Sequence, residues 1–199
     1  FEKKNFKNTE DLAQLAQNDC AMVVRCVSFD ASDETQWPLA LQFQAQKLFY
    51  VAGGGPYGPF ENKKWSDHQW AFKVNFLCPA FLLHQLMLSN TCRQIVMVGS
   101  AIAESKPDIH AASYAAAKHA LKGLVTSVQA EQKKMSQDQI DLRLFSPGYI
   151  DTPMLPANAW PRQLALEEQA SLIASPIALA EKLLDWIANP SSSPRLNEF

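Results

Sequence analysis

The sequence has little of several features that would identify particular classes of protein. Its 199 residues include 18 basic and 20 acidic side chains, for a formal net charge of −2, so there is no surplus of positive charge to bind a polyanion. Nucleic acids and anionic membranes are therefore not expected partners. No uninterrupted apolar run approaches the roughly 18 residues that a membrane span requires, and a soluble protein is expected.

Cysteine and histidine are also scarce, and their spacing is not that of structural sites. The sequence has four cysteines without a CxxC pair, and four histidines without HxxxH or HxH spacing. The cysteines are Cys20, Cys26, Cys78 and Cys92. This pattern predicts reduced, buried thiols in a cytoplasmic protein, with neither a disulfide framework nor a metal site.

Glycine is the third scarce residue. The seven glycines are about half of the usual share of roughly 7%, and none precedes Gly53. Residue 1 is Phe rather than Met. Together these features indicate a sequence that begins partway into its fold. Residues 1–8 carry three lysines but no apolar segment follows them, so a signal peptide is not expected.

What the sequence does contain is an alternation of apolar, strand-like runs with helical periodicity. The predicted strands are residues 21–27, 48–51, 94–98 and 140–145. The predicted helices are residues 9–18, 33–46, 67–88, 111–134, 162–173 and 176–188, followed by a polar tail over 189–199. Such an order predicts a single α/β domain with a doubly wound, mostly parallel sheet covered on both faces. Ligands of these sheets bind beyond the carboxyl ends of the strands.

A glycine-rich loop follows the predicted strand 48–51. Gly53, Gly55 and Gly58 match the spacing G-x-G-x-x-G, but that fingerprint needs a helix that begins inside the motif. Pro56 and Pro59 interrupt it here. The favoured interpretation is a flexible loop whose glycines let the backbone approach a ligand closely, and a phosphate site over 53–58 is the alternative.

The most specific constellation joins Ser100, at the end of a predicted strand, to Tyr114 and Lys118. Tyr114 and Lys118 are four residues apart at the start of a predicted helix, so their side chains share a face. A phenol has a pKa near 10, and an ammonium one turn away favours the phenolate. A serine hydroxyl could orient a substrate carbonyl or alcohol. The pattern predicts a general acid/base site, although Tyr-x-x-x-Lys also occurs by chance on helix surfaces.

These segments resemble the short-chain dehydrogenase/reductase family, and the resemblance covers nearly the whole sequence. Tyr114, Lys118 and Ser100 are similar to the family's Tyr-x-x-x-Lys and its serine, and Asn75 is similar to its fourth catalytic position. Residues 146–154 look like the family's Pro-Gly segment, and Asp30 looks like its adenine-contacting aspartate. The resemblance implies a Rossmann-like domain spanning 1–199.

The activity that the resemblance implies is hydride transfer between NAD or NADP and a small carbonyl or alcohol substrate. Tyr114 would donate or accept the proton, and Ser100 would hold the substrate oxygen. Lys118 would lower the pKa of the tyrosine and bind the nicotinamide ribose, while Asn75 would support a water that relays protons to Lys118. The implied cofactor-binding residues are Asp30, Ala31, Ala52, Gly53, Gly54, Tyr114, Lys118, Pro147, Gly148, Ile150 and Thr152. The implied substrate-binding residues are Ser100, Ile102, Met154 and Trp160, with a covering segment at about 153–175. A homodimer or homotetramer, formed through the two long helices, is also implied.

The sequence departs from the family pattern in three places. The glycine-rich turn of the first strand–helix unit is absent. The family's Asn-Asn-Ala-Gly segment reads Tyr50-Val51-Ala52-Gly53 here. This change removes two polar side chains that brace the central strands in the family. The gap between the serine and the tyrosine is about one residue longer than usual. These departures leave open the alternative of a catalytically inactive relative that binds a dinucleotide or has a structural role. The choice between NAD and NADP also stays open.

Overall fold

The computed structural model describes residues 27–104, 108–135, 140–159, 161–163, 173–189, 193 and 195–198. The strands are β1 (Lys47–Tyr50), β2 (Gln94–Val98), β3 (Asp141–Pro147), β4 (Tyr149–Ile150), β5 (Ile173–Ala174) and β6 (Arg195–Glu198). The long helices are α1 (Trp65–Ser89), α2 (Ala112–Met135) and α3 (Pro176–Ala188). The predicted helix 9–18 and strand 21–27, apart from residue 27, lie outside the described residues, as does most of the predicted helix 162–173.

The central sheet has four strands in the order β1-β2-β3-β6, and all three pairings are parallel. A second, two-stranded parallel sheet pairs β4 with β5. Parallel pairing follows from the helices between the strands, because each crossover returns the chain to the same end of the sheet. The predicted α/β class with a mostly parallel sheet is confirmed.

Both faces of the sheet are covered, which explains why its strands are almost wholly apolar. Side chains alternate across a strand, so Ile95 and Met97 of β2 face one way and Val96 faces the other. Ile95 and Met97 pack in a cluster with leucines of α1 and α2, whereas Val96 packs with Leu179 and Trp186 of α3. The carboxyl ends of β1, β2 and β3 therefore open onto one edge of a rigid, two-sided core.

Three elements differ from the sequence-based prediction. The predicted helix 33–46 is a 3-10 helix, Glu34–Gln42, with Pro38 inside it. Helix α1 contains a five-residue π-helical turn, Lys73–Leu77, which a helical pattern of apolar residues does not reveal. The predicted polar tail contains β6, because one apolar side chain, Leu196, packs on the core while backbone pairing to β3 holds the strand.

An ion cluster joins β6 to the loop that follows β2. The Glu104 carboxylate is mostly buried and accepts hydrogen bonds from Arg195 Nη2 at 2.9 and 3.0 Å and from Lys122 Nζ at 2.5 Å. Burial by itself raises the pKa of Glu104, but the hydrogen bonds from Lys122 and Arg195 outweigh it, and the net pKa is below the ordinary value. The cluster fixes the end of the loop that begins at Ser100.

Helix α1 is the one helix in the described ranges that is long and apolar enough, by length and composition, to cross a membrane. Its position accounts for this composition, because Leu82, Leu83 and Leu86 are buried against the sheet. Cys78 and Cys92 are buried free thiols, whereas Cys20 and Cys26 lie outside the described residues. Within the described ranges no group of three or more His, Cys, Asp or Glu side chains could hold a metal ion.

Candidate active site

Four of the predicted residues meet at the edge where the strands end. Ser100 follows β2, Tyr114 and Lys118 lie in the first turns of α2, and Asn75 lies in the π-helical turn of α1. The loop after β1 runs between them. A Cβ atom added at Gly53 would lie 3.0 Å from Asn75 Oδ1 and 3.4 Å from Lys118 Nζ. The backbone of this loop therefore passes directly over the polar ends of two of the four side chains.

Ser100 is held in place by the short 3-10 helix Ala101–Ala103, of which it is the N-terminal cap. Its hydroxyl accepts a hydrogen bond from the backbone N–H of Ile102 at 3.4 Å. The same side chain makes a hydrogen-bonding interaction with Tyr114 that favours the phenolate. Ser100 and Tyr114 thus present two hydroxyl groups side by side, as a site that binds one substrate oxygen requires.

The pKa of Tyr114 departs from the sequence-based expectation. Burial raises it above its ordinary value, and the interaction with Ser100 offsets only part of the effect. The predicted lowering by Lys118 is not observed, because burial lowers the pKa of Lys118 to about 7 and its amine is therefore uncharged in the pH range where a phenol ionises. In this arrangement Tyr114 is a neutral phenol at neutral pH and is ready to donate a proton.

Lys118 is 2% exposed, and its Nζ atom donates a hydrogen bond to the Val98 carbonyl at 2.7 Å. Burial lowers its pKa to about 7, because a charged ammonium loses hydration in this environment. Near neutral pH the amine therefore exists in both protonation states. A group of this kind can take up and release protons during a reaction.

Asn75 has no exposed surface and uses its whole side-chain amide to join α1 to the loop after β1. Its Nδ2 atom donates to the carbonyls of Gly54 and Ala71, both at 2.6 Å, and its Oδ1 atom accepts from the Gly54 N–H at 3.2 Å. The paired bonds to one residue fix both the asparagine and the loop. This arrangement places Gly53 beside Lys118.

The glycines of the loop after β1, residues 53–58, allow its backbone to pack closely against neighbouring side chains. Cβ atoms added at Gly54 and Gly55 would lie 2.9 Å from the Trp70 ring and 2.8 Å from Tyr114 Cβ. The next long helix begins only at Trp65, and the Gly54 amide is already bonded to Asn75. These contacts favour the interpretation of the loop as a close-approach segment over the alternative of a phosphate site.

Other predicted cofactor residues lie at separate places around this centre. Asp30 and Ala31 precede the 3-10 helix, where the Asp30 carboxylate accepts hydrogen bonds from Ser32 N and Oγ at 2.8 and 2.7 Å. Ala52 leads into the glycine loop. Pro147 ends β3, Gly148 follows it, and Ile150 lies in β4 and packs against the cluster around Trp186.

The predicted substrate-binding residues are more scattered. Ile102 is buried and packs with Ala111, Ala115 and Tyr114, so it supports the Tyr114 ring and does not line an open site. Thr152, which was predicted to bind the cofactor, lines a cavity of about 660 Å³ next to Pro153 and Leu155. Met154 is 47% exposed, and Trp160 lies outside the described residues, as does most of the predicted covering segment.

The sequence-based prediction missed a buried pair directly beside the tyrosine. His68 Nδ1 lies 2.6 Å from Ser113 Oγ, and the His68 ring packs against Phe60 at 4.4 Å between ring centres. This pair joins α1 to the residue that precedes Tyr114. The two residues are 45 positions apart and no motif links them, so only the packing of the two helices reveals the contact.

Gly55→Ala is expected to lower kcat by about tenfold or more, because small misplacements of a reacting group are costly. The new methyl group would lie 2.8 Å from Tyr114 Cβ, an atom fixed to the backbone, so the helix or the loop must move. Steady-state kinetics with a saturating carbonyl substrate measures the effect.

Gly123→Ala is the matched control, because nothing lies within 4 Å of a Cβ atom at that position of α2. It should keep the wild-type kcat and raise the free energy of unfolding by about 0.5–1 kcal/mol. Equal kcat values for the two variants would show that close packing of the loop at Gly55 is not needed to position Tyr114.

Comparison with known proteins agrees with this geometry. Residues 3–162 match the family model described as short chain dehydrogenase. A curated relative, the uncharacterized oxidoreductase YohF of Escherichia coli (strain K12), is 28% identical over 138 residues, which are 64% of this chain and 53% of the relative. The chain thus spans about half the length of the curated relative that it matches.

Solved structures share the fold at low sequence identity. A 4-hydroxyisoleucine dehydrogenase complexed with NADH has a TM-score of 0.75 and 17% identity, with 96% of this chain and 83% of that chain covered. The angucycline C-6 ketoreductase LanV with bound NADP has a TM-score of 0.75 and 13% identity, with coverage of 96% and 80%. A dehydrogenase/reductase from Sinorhizobium meliloti 1021 has a TM-score of 0.76 and 21% identity, with coverage of 97% and 80%. The family match, the fold and the arrangement of the four side chains agree, and the chain belongs to the short-chain dehydrogenase family.

Proposed function

We propose that the protein is an NAD- or NADP-dependent oxidoreductase that interconverts a carbonyl compound and an alcohol. The observation that carries this proposal is the convergence of Ser100, Tyr114, Lys118 and Asn75 at the carboxyl edge of a parallel sheet. Family membership and the NADH- and NADP-bound structural neighbours support it.

The residues present fit the nicotinamide end of such a cofactor. Lys118 is a buried amine, and among the described residues its Nζ atom donates a hydrogen bond to the Val98 carbonyl. A protonated lysine amine has three N–H donors. The donors that remain suit the hydroxyl groups of a ribose. Glycine at position 53 leaves the backbone close to Lys118 without a side chain between them. When bound, the cofactor supplies or accepts the hydride, which is chemistry that side chains do not provide.

The protein's own contribution is proton transfer and orientation. Ser100 would hold the substrate oxygen next to Tyr114, and the Tyr114 phenol would donate its proton to that oxygen during reduction. Lys118, with a pKa of about 7, would restore the proton near neutral pH. Asn75, held between Gly54 and Ala71, would keep the path to Lys118 in place. In this scheme Tyr114 and Lys118 move the proton, whereas Ser100 and Asn75 hold the reacting groups in position.

Fluorescence titration of the full-length protein with NADH and NADPH, followed by turnover assays on a panel of aldehydes and ketones, tests the proposal. The expected result is that the protein binds at least one of the two cofactors and oxidises it when a carbonyl compound is present. Binding without turnover across the panel would favour the catalytically inactive alternative. The absence of cofactor binding would contradict both functions.

Localisation and assembly complete the proposal. The near-neutral charge and the reduced, buried thiols Cys78 and Cys92 support a cytoplasmic protein. Exposed apolar side chains on α1, Trp65, Phe72 and Leu77 among them, support association into a homodimer or homotetramer. A single domain over 1–199 with a substrate-covering segment near 153–175 belongs to the same proposal.

A further inference from the structure

The π-helical turn of α1 creates a buried carbonyl that the helix itself does not satisfy. The N–H of Cys78 donates to the carbonyl of Lys73, five residues earlier, instead of to Val74 as in an α-helix. The next donor in the π pattern would be the N–H of residue 79, but residue 79 is proline, which has none. The carbonyl of Val74, a buried residue, therefore needs a partner from another element.

Tyr50 supplies that partner. Its hydroxyl donates to the Val74 carbonyl at 2.5 Å, and the tyrosine is 4% exposed at the end of β1. The Cys78 thiol is also hydrogen-bonded to it, so the phenol contacts both sides of the turn. Burial raises the pKa of Tyr50, which keeps the hydroxyl protonated and able to donate throughout the working pH range.

This contact lies one residue before Asn75 in α1 and three residues before Gly53, the first glycine of the loop after β1. Val74 precedes Asn75 in α1, and Tyr50 precedes the loop that Asn75 holds through Gly54. The Tyr50 hydroxyl thus ties the π-helical turn to β1, the strand that continues into the glycine loop. Because β1 is fixed in the sheet, the bond sets the distance between Asn75 and the loop that passes beside Lys118.

We infer that Tyr50 is a positioning residue of the active site, which acts by holding the π-helical turn so that Asn75 bonds Gly54. Tyr50 stands where the family has one of two polar side chains that brace the central strands, and its hydroxyl forms a brace of a different geometry. The inference rests on the proposed function for its effect on turnover, whereas its structural part stands on the contacts alone.

The test compares Tyr50→Phe, which removes one hydroxyl, with Thr126→Val, which removes a hydroxyl that donates to the Lys122 carbonyl within α2. Hydrogen exchange of the Gly54 amide and of residues 71–78 is measured together with kcat, KM and the melting temperature. Tyr50→Phe should speed exchange at Gly54 at least about tenfold and lower kcat about tenfold, with a KM for the carbonyl within about twofold. Its melting temperature should fall further than that of Thr126→Val, because the buried Val74 carbonyl loses its partner whereas the Lys122 carbonyl lies within a regular helix.

Unchanged exchange at Gly54, or equal effects of the two variants on kcat, would overturn the inference. If the wild-type protein turns over no carbonyl, the proposed function fails, but exchange at Gly54 still decides the role of Tyr50. If Tyr50→Phe does not fold, the double variant Tyr50→Phe/Pro79→Ala decides, because alanine restores a backbone N–H within the turn. Recovery of the fold and of slow exchange at Gly54 supports the inference, and a double variant as unfolded as the single one overturns it.

Discussion

Tyr114→Phe should reduce turnover by a factor of about 10³, within the range that general acid catalysis contributes to enzymes. The substitution removes the proton donor and leaves a ring of nearly the same shape against Ile102 and Ala115. Because Lys118 is held by Val98, the affinity for the nicotinamide cofactor should stay within about threefold, well under 1.4 kcal/mol. Steady-state kinetics and a fluorescence titration on the same preparation measure the two quantities.

Tyr149→Phe is the matched control, since it removes a phenol hydroxyl that is hydrogen-bonded to Asp108 at 3.0 Å.

The pH dependence of the two reaction directions provides a further check on the role of Tyr114. Burial raises the pKa of Tyr114, so carbonyl reduction should proceed at neutral pH, while alcohol oxidation, which needs the phenolate, should quicken as the pH rises. Turnover of Tyr114→Phe within a few fold of the wild type would remove the tyrosine from the mechanism.

Lys118→Met should abolish most turnover and yet make the protein more stable. A charged amine at this buried position costs free energy, because its pKa falls to about 7 in the folded protein against about 10.4 in an unfolded chain. Methionine removes this cost and loses one hydrogen bond to Val98, worth about 1 kcal/mol. The net gain in the free energy of unfolding should be about 1–3 kcal/mol at pH 6.

The gain should depend on pH in a defined direction. Between pH 7 and about 10.4 the unfolded wild type binds more protons than the folded protein, so its free energy of unfolding rises with pH. The methionine variant lacks this titration, and its advantage should shrink across the same interval. Denaturant titrations at pH 6, 8 and 9.5 measure the trend. A variant that is less stable than the wild type at all three pH values would contradict the conclusion that burying the charged amine of Lys118 costs stability.

The sequence was sufficient for features that depend on local spacing. The buried strands β2 and β3 are short apolar runs, and the shared face of Tyr114 and Lys118 follows from helical periodicity. Ser100 could be placed because strand ends in a parallel sheet share an edge. The family match over residues 3–162 agrees with these inferences.

Features that depend on distant contacts could not be predicted. The His68–Ser113 pair joins two helices, and β6 is held by pairing to β3 and by the Glu104–Arg195 ion pair across 91 positions. The pKa of Tyr114 was misjudged for the same reason, since burial depends on the surrounding packing rather than on the spacing to Lys118. The π-helical turn could not be predicted, because the apolar residues of α1 still follow a helical pattern.

The ion cluster around Glu104 has a consequence for how the protein matures on the ribosome. Arg195 is translated long after Glu104, so a nascent chain that has reached α3 holds the Glu104 carboxylate beside Lys122 and Ser146 but without its arginine partner. The loop that presents Ser100 is secured from its far end only when β6 joins the sheet. The loop after β2 therefore reaches its final geometry late in synthesis, after β1, β2 and β3 of the central sheet have been translated.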